Sequence, residues 1–143
     1  MTVASILGRK GRDVVTTSPD RSLQDIATTL VERNIGAVIV TDREGRVLGM
    51  LSERDIVRAM ARDGASALDD PVSRHMTERV VTTTEDATVP DTMERMTAGR
   101  FRHLPVIANE RLVGLISIGD VVKWRLAEIE GEHQALKEYI ATA

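Results

Sequence analysis

A seven-residue stretch occurs twice in this chain: Gly49-Met50-Leu51-Ser52-Glu53-Arg54-Asp55 returns 65 residues later as Gly114-Leu115-Ile116-Ser117-Ile118-Gly119-Asp120. The likeness reaches well beyond the motif. Val80-Val81-Thr82-Thr83 repeats Val14-Val15-Thr16-Thr17, Asp86 answers Asp20, Val89 answers Leu23, Met93 and Met96 answer Ala27 and Leu30, and Val106 answers Val40. One residue is dropped in the turn around Ala108-Asn109-Glu110. A duplicated unit too small to close a core alone is expected to pack against its own copy, which predicts two halves about a pseudo-twofold axis.

Each unit reads as β-α-β-β-α. Val14 to Thr17 is β-prone and stops at the turn signal Ser18-Pro19-Asp20. Ser22 then reads as an N-cap, and Leu23, Ile26, Ala27, Leu30 and Val31 follow at helical spacing. Asn34-Ile35-Gly36 ends that helix; Ala37 to Val40 and Val47 to Leu51 read as strands joined by a polar turn. From Ser52 onward Ile56, Val57, Met60 and Ala61 line one face of a second helix. The expected organisation is a short helix or arm over 1–13, a first repeat over 14–62, a Gly- and Pro-broken linker over 63–79, a second repeat over 80–125 and a C-terminal helix over 126–143. Within the linker, Val72 to Met76 reads as a helical turn. The last helix is polar for a core element and suits a partner-facing role.

Composition removes several classes of function. A net charge of −3 offers no basic excess for general nucleic-acid binding. The absence of Cys excludes disulfides, thiolate catalysis and cysteine zinc sites, and three scattered His give no metal-ligand spacing. His75 and His133 read as surface or structural residues, the Met as gap-fillers of helical cores, and Trp124 as a packing or interface anchor. With no secretory signal and no membrane-length apolar run, a cytoplasmic location is expected.

The repeated motif carries the chemistry. A strand closed by Gly and followed by Ser and Asp three apart is a strand-to-helix corner, where free amides, a hydroxyl and a carboxylate converge. Such a corner suits a phosphorylated, hydroxyl-rich small molecule. The plainer reading is a capping box, and the two are compatible, because an Asp in a first helical turn can favour the helix dipole and still face a ligand.

The pair of β-α-β-β-α repeats, each ending in Gly-apolar-apolar-Ser-x-x-Asp, resembles the tandem cystathionine-β-synthase (CBS) domain, or Bateman module, over roughly Val14 to Arg125. The resemblance implies an α+β fold with a C-terminal helix added. It further implies a non-catalytic sensor that binds AMP, ADP, ATP or NAD(H), with S-adenosylmethionine less favoured, between the repeats, and that forms a homodimeric disk acting on another protein. Carried over by position, Asp55 and Asp120 would accept from ribose hydroxyls, Ser52 and Ser117 would meet ribose or phosphate, and Arg54 could reach phosphate where its counterpart Gly119 cannot. The adenine wall would be Ile35-Gly36-Ala37-Val38 in one half and Arg102-His103-Leu104-Pro105 in the other. Thr16 and Thr82 are expected at the cleft edges.

The two walls are unlike. Arg100, Arg102 and His103 form a basic cluster beside Phe101, where the first repeat has only small apolar residues. Two non-equivalent clefts are therefore expected, with Arg102 and His103 contacting phosphate. The alternatives are that the cluster is a solvated loop, and that the whole chain is a nucleotide-independent scaffold docking a partner through its last helix. The basic end of the leading arm, Arg9, Lys10 and Arg12, reads equally as solvated loop or as a group near an anion. An enzyme is not expected, since no activated nucleophile pair or Gly-rich phosphate loop accompanies the acids.

Overall fold

The computed structural model describes residues 1–142; Ala143, the end of the expected C-terminal helix, lies outside them. The first repeat contains β1 (Thr16–Thr17), α2 (Leu23–Arg33), β2 (Ala37–Thr41), β3 (Val47–Ser52) and α3 (Glu53–Asp63), preceded by α1 (Val3–Lys10). A 3₁₀ turn (Ala65–Asp69) and α4 (Val72–His75) lead into the second repeat, which contains α5 (Val89–Gly99), β4 (His103–Ala108), β5 (Arg111–Ser117) and α6 (Ile118–Thr142). β1 runs parallel to β2, β2 antiparallel to β3, and β4 antiparallel to β5.

Matching caps set matching helices. Ser22 accepts the Asp25 amide and Thr88 the Asp91 amide, both at 3.2 Å. The helices end on left-handed residues at equivalent places, Asn34 (φ 52°) and Arg100 (φ 55°).

The strand expected over Val80–Thr83 is reduced to one parallel bridge, Thr83 to Val106. A proline accounts for the loss. In the first repeat the Ile39 amide donates to the Val15 carbonyl at 3.3 Å, whereas its counterpart in the second is Pro105, which has no N–H for the Val81 carbonyl. β1 is shorter than expected too, reaching only Thr16–Thr17.

Each half has its own aliphatic core, and each core is completed by the segment that precedes the other half. Val3, Ile6 and Leu7 of α1 are buried with Val89, Met96, Leu104, Val106, Ile116 and Val121 of the second repeat. Ala67 and Val72, from the expected linker, are buried with Leu23, Ile26, Val38, Leu51 and Ile56 of the first. The backbone ties are equivalent: Thr2 bridges Thr88 and Pro71 bridges Ser22.

The motif glycines make this exchange sterically feasible. A Cβ on Gly114 would meet the Leu7 methyls at 2.8 Å; on Gly49 it would meet Met76 Sδ and the Thr77 carbonyl oxygen, both at 2.8 Å. The obstacle differs in kind. A methyl at the end of Leu7 can rotate away, but the Thr77 carbonyl is fixed by accepting the Met50 amide at 3.0 Å. Gly49→Ala is thus expected to cost about 3 kcal/mol and Gly114→Ala about 1 kcal/mol, the upper and lower ends of the usual range for overpacking. Paired urea melts measure the difference, and equal midpoints would refute this account.

Candidate functional site

Both Ser-x-x-Asp motifs stand where a strand hands over to a helix. In the first, Ser52 Oγ accepts the Asp55 amide at 3.3 Å, while Asp55 Oδ2 accepts the Ser52 amide at 2.9 Å and its hydroxyl at 3.0 Å. In the second, Asp120 Oδ2 accepts the Ser117 amide at 2.9 Å and Ser117 Oγ accepts the Asp120 amide at 3.1 Å. The capping reading is therefore correct in both copies. Only one carboxylate oxygen is used, however: among the described residues nothing donates to Oδ1 of either Asp, and both Asp are half-buried.

Each corner is held against the start of a strand. The Glu53 amide donates to the Gly36 carbonyl at 3.0 Å, and the Ile118 amide to the Arg102 carbonyl at 2.8 Å. Ala37 pairs in register with Ser52, and His103 with Ser117. The fold thus gathers Ile35, Gly36 and Ala37 beside Ser52 and Asp55, and Arg102, His103, Leu104 and Pro105 beside Ser117 and Asp120. Ala37, Leu104 and Pro105 are buried; Arg54 and Arg102 extend into solvent.

Thr16 and Thr82 are not drawn to either motif. Thr16 lines a cavity of about 560 Å³ with Ser18, Asp20, Asp42 and Arg43, and Thr82 lines one of about 420 Å³ with Arg46, Val47, Ile107 and Glu110. Neither cavity touches a Ser-x-x-Asp residue.

The two motifs differ in one respect that the motif sequence does not reveal. Lys10, at the end of α1, places Nζ 2.5 Å from Asp120 Oδ2 and 2.8 Å from the Leu115 carbonyl oxygen. The exchanged position of α1 delivers it there. By the equivalent backbone ties Arg79 is its counterpart in chain position, and Arg79 pairs with no carboxylate among the described residues. Lys10 lies within a cavity of about 220 Å³ between α1 and α6, with Ile6, Arg9, Asp120, Lys123, Trp124 and Ala127. Arg9 stacks over the Trp124 ring, 4.6 Å from its centroid, so Trp124 is a packing anchor that also holds a guanidinium in place. Arg9, Lys10 and Lys123 thus line the same cavity as Asp120, and among the described residues Lys10 is the cation paired with it.

Partial burial opposes ionisation of Asp120, but the Lys10 and Ser117 hydrogen bonds outweigh it and hold the carboxyl below its ordinary value. Burial, then the neighbouring charge of Lys10, pushes the His103 imidazole below its ordinary value, with Asp120 opposing and Arg102 adding a smaller push. The signs agree. Both folded-state values are depressed, so both groups contribute stability at high pH: His103 loses it as pH falls below ~6.5 and Asp120 as pH falls below ~3.9. A urea-midpoint profile should therefore decline in two stages on acidification. His103→Gln is expected to flatten the upper stage and Asp120→Asn the lower, and an unchanged profile in either variant would refute the assignment.

His75 is structural. Its ring is 2% exposed, with Nε2 2.8 Å from Asp70 Oδ2 and Nδ1 3.1 Å from an Arg62 nitrogen. The ligand atoms of Asp63, Asp70 and His75 lie within 4.8 Å of one another, but Asp63 is paired with Arg62 and Asp70 with Arg74.

Two duplicated β-α-β-β-α units, exchanging their leading segments and presenting a carboxylate at each strand-to-helix corner, define a tandem-repeat module with two related but unequal corners. The chain belongs to the CBS-domain family, whose model matches it twice, over residues 4–62 and 72–127. It is 31% identical over 147 residues to the CBS domain-containing protein CBSX3, mitochondrial, of Arabidopsis thaliana, covering 97% of this chain and 71% of that protein. An uncharacterised 17.7 kDa protein of Acidianus ambivalens is 38% identical over 112 residues, of whose length the chain covers 66%. Among solved structures, the CBS-domain protein ATU1752 of Agrobacterium tumefaciens superposes with a TM-score of 0.84 at 54% identity, over 87% of this chain and 99% of that one. The CBS domain protein PAE2072 of Pyrobaculum aerophilum, solved in complex with AMP, superposes with a TM-score of 0.74 at 28% identity, over 84% and 89%. No described helix is long and apolar enough to cross a membrane.

Proposed function

We propose that this chain is a regulatory sensor that binds an adenosine-containing nucleotide, AMP, ADP, ATP or NAD(H), at the second Ser-x-x-Asp corner, and performs no chemistry on it. The observation that carries the reading is Asp120: a half-buried, ionised carboxylate with one oxygen uncommitted, among Lys10, Arg9 and Lys123 and close to His103. A carboxylate accepts from a ribose diol, and the surrounding cations suit phosphates. The AMP complex of PAE2072 supports the ligand class.

In this reading Lys10 holds the ribose position until ligand arrives. The hydroxyls displace Nζ from Asp120, and the long side chain turns to the phosphate it now faces. Ser117 caps α6 throughout, so the α6 amides stay directed at the ligand. Arg102 and His103 add phosphate contacts from the start of β4. The first corner, without an engaged cation, is the weaker site. Occupancy is read by another protein through a homodimer, and neither nucleic acid nor membrane takes part. Thermal unfolding against AMP, ADP, ATP, NAD, NADH and S-adenosylmethionine tests the reading, with magnitudes argued in the Discussion. A second reading, a scaffold that docks a partner through α6, is favoured by one observation: every residue from Ile129 to Thr142 is exposed.

A further inference from the structure

The far part of α6 carries an apolar stripe that the body of the protein does not cover. The helix is anchored by Val121, which is buried, and by Trp124. Beyond them Leu126 (54% exposed), Ile129 (45%), Leu136 (56%) and Ile140 (66%) face solvent, with exposed His133 between. The spacing along Leu126, Ile129, His133, Leu136 and Ile140 alternates strictly between three and four residues, the a/d pattern of a coiled-coil seam. Gly131, the weak helix former, falls at the outermost position of that heptad, away from the seam.

We infer that the occupant of this seam is the α6 of a second copy of the chain, lying parallel and in register as a two-stranded coiled coil. Charge complementarity selects both the partner and the direction. With Leu126 at a, the g positions are Arg125, Glu132 and the uncharged Tyr139, and the e positions are Glu130 and Lys137. In a parallel pair each g residue faces the e residue of the next heptad, which sets Arg125 against Glu130 of the second copy and Glu132 against Lys137 of the second copy. Both pairs are opposite in sign, and symmetry doubles them. An antiparallel pair can use only four of the five seam positions: the register that leaves Ile140 out sets Glu130 against Glu130 and Glu132 against Glu132 of the second copy, which is repulsive, and the register that leaves Leu126 out keeps only the Glu130–Lys137 pair, half the opposite-sign pairs of the parallel coil. His133, at the central a position, meets only its own counterpart in the parallel register, so any slip leaves it facing Leu or Ile. Two heptads make a marginal free-standing helix, but this one is already nucleated, because its first turns are packed on the body.

The arrangement has a geometric corollary. Parallel helices place the dimer axis along α6, so the second repeats of both copies stand side by side at the start of the coil.

The test uses the full chain. Glu132→Lys and Lys137→Glu, each alone, set like charges across the seam twice over, and each should raise the dimer dissociation constant on the order of tenfold in sedimentation equilibrium at low salt. The double variant restores opposite signs and should restore the affinity. Leu136→Glu should leave the coil undetectable. Because the chain has no Cys, Ile140→Cys gives one reporter: a parallel coil brings the two thiols together and mild oxidation links them, whereas either antiparallel register holds them at least about 15 Å apart. Failure of Ile140→Cys to link, or single reversals that leave the dissociation constant unchanged, would overturn the proposal, and would leave α6 to a partner of other sequence. The test does not depend on nucleotide binding, so it fails or succeeds separately from the sensor reading.

Discussion

Leu7→Ala is expected to lower the stability of the whole fold by about 3–5 kcal/mol. Leu7 lies on α1, outside both β-α-β-β-α repeats, where a lead-in segment is ordinarily expected to tolerate change. Here its side chain is 1% exposed, packs in the second core and fills the space above Gly114. The hole left by truncation is bordered by β5 and α1, both fixed by backbone ties such as the Val3 amide to the Ala87 carbonyl at 2.9 Å. Little collapse is open to it. Set against the ~5–15 kcal/mol that stabilises a typical domain, the loss is large. Urea denaturation measures it, with Val31→Ala, at an 82% exposed helical position, as a control expected to stay within about 0.5 kcal/mol. A Leu7→Ala midpoint close to that of the control would show that α1 is a dispensable arm.

Addition of the right nucleotide is expected to raise the unfolding midpoint by on the order of 5–11 °C. A ligand that binds only the folded state, at one hundred times its dissociation constant, adds about 2.7 kcal/mol, and each kcal/mol moves the midpoint of a chain this size by roughly 2–4 °C. Asp120→Ala should erase the shift and Asp55→Ala should leave most of it. Asp120→Ala also removes the Lys10 ion pair and the carboxylate that receives the Ser117 amide, so its unliganded midpoint will fall. The quantity to compare is therefore the ligand-induced change. A flat response to every nucleotide would sink the sensor reading and favour the scaffold. A shift lost in Asp55→Ala but kept in Asp120→Ala would move the ligand to the first corner and leave Lys10 as a structural partner.

Much of the architecture could be read from the duplication, because two copies of a pattern test each other. The helices, their caps and both corners follow from residues that recur at matched positions. The exchange of leading segments could not be read that way. Val3, Ile6 and Leu7 announce that α1 has a face to bury but not whose core will receive it, and only the backbone ties at Thr2 and Pro71 decide. The same gap concealed Lys10, whose basic neighbourhood read equally as solvated loop. The short strand around Thr83 was legible in principle. Comparing Ile39 with Pro105 shows that one ladder bond has no donor, but β propensity alone gave Val80–Thr83 the same weight as Val14–Thr17. Thr16 and Thr82 were expected at the cleft edges; Thr82 lines a cavity between residues of the two repeats, and Thr16 one within the first repeat, neither of which includes a Ser-x-x-Asp residue.

The crossed seating of α1 sets a timetable for the protein during its synthesis. The first helix leaves the ribosome with Val3, Ile6 and Leu7 exposed, and the strand that receives Leu7 is not complete until Ser117 has been made. At ~5–20 residues per second the wait is on the order of 5–20 s. During that interval the first repeat can gather its own strands and, once Val72 emerges, close its core, while α1, made before it, remains unburied. α1 is thus made before either repeat and is among the last of the described elements to find its place.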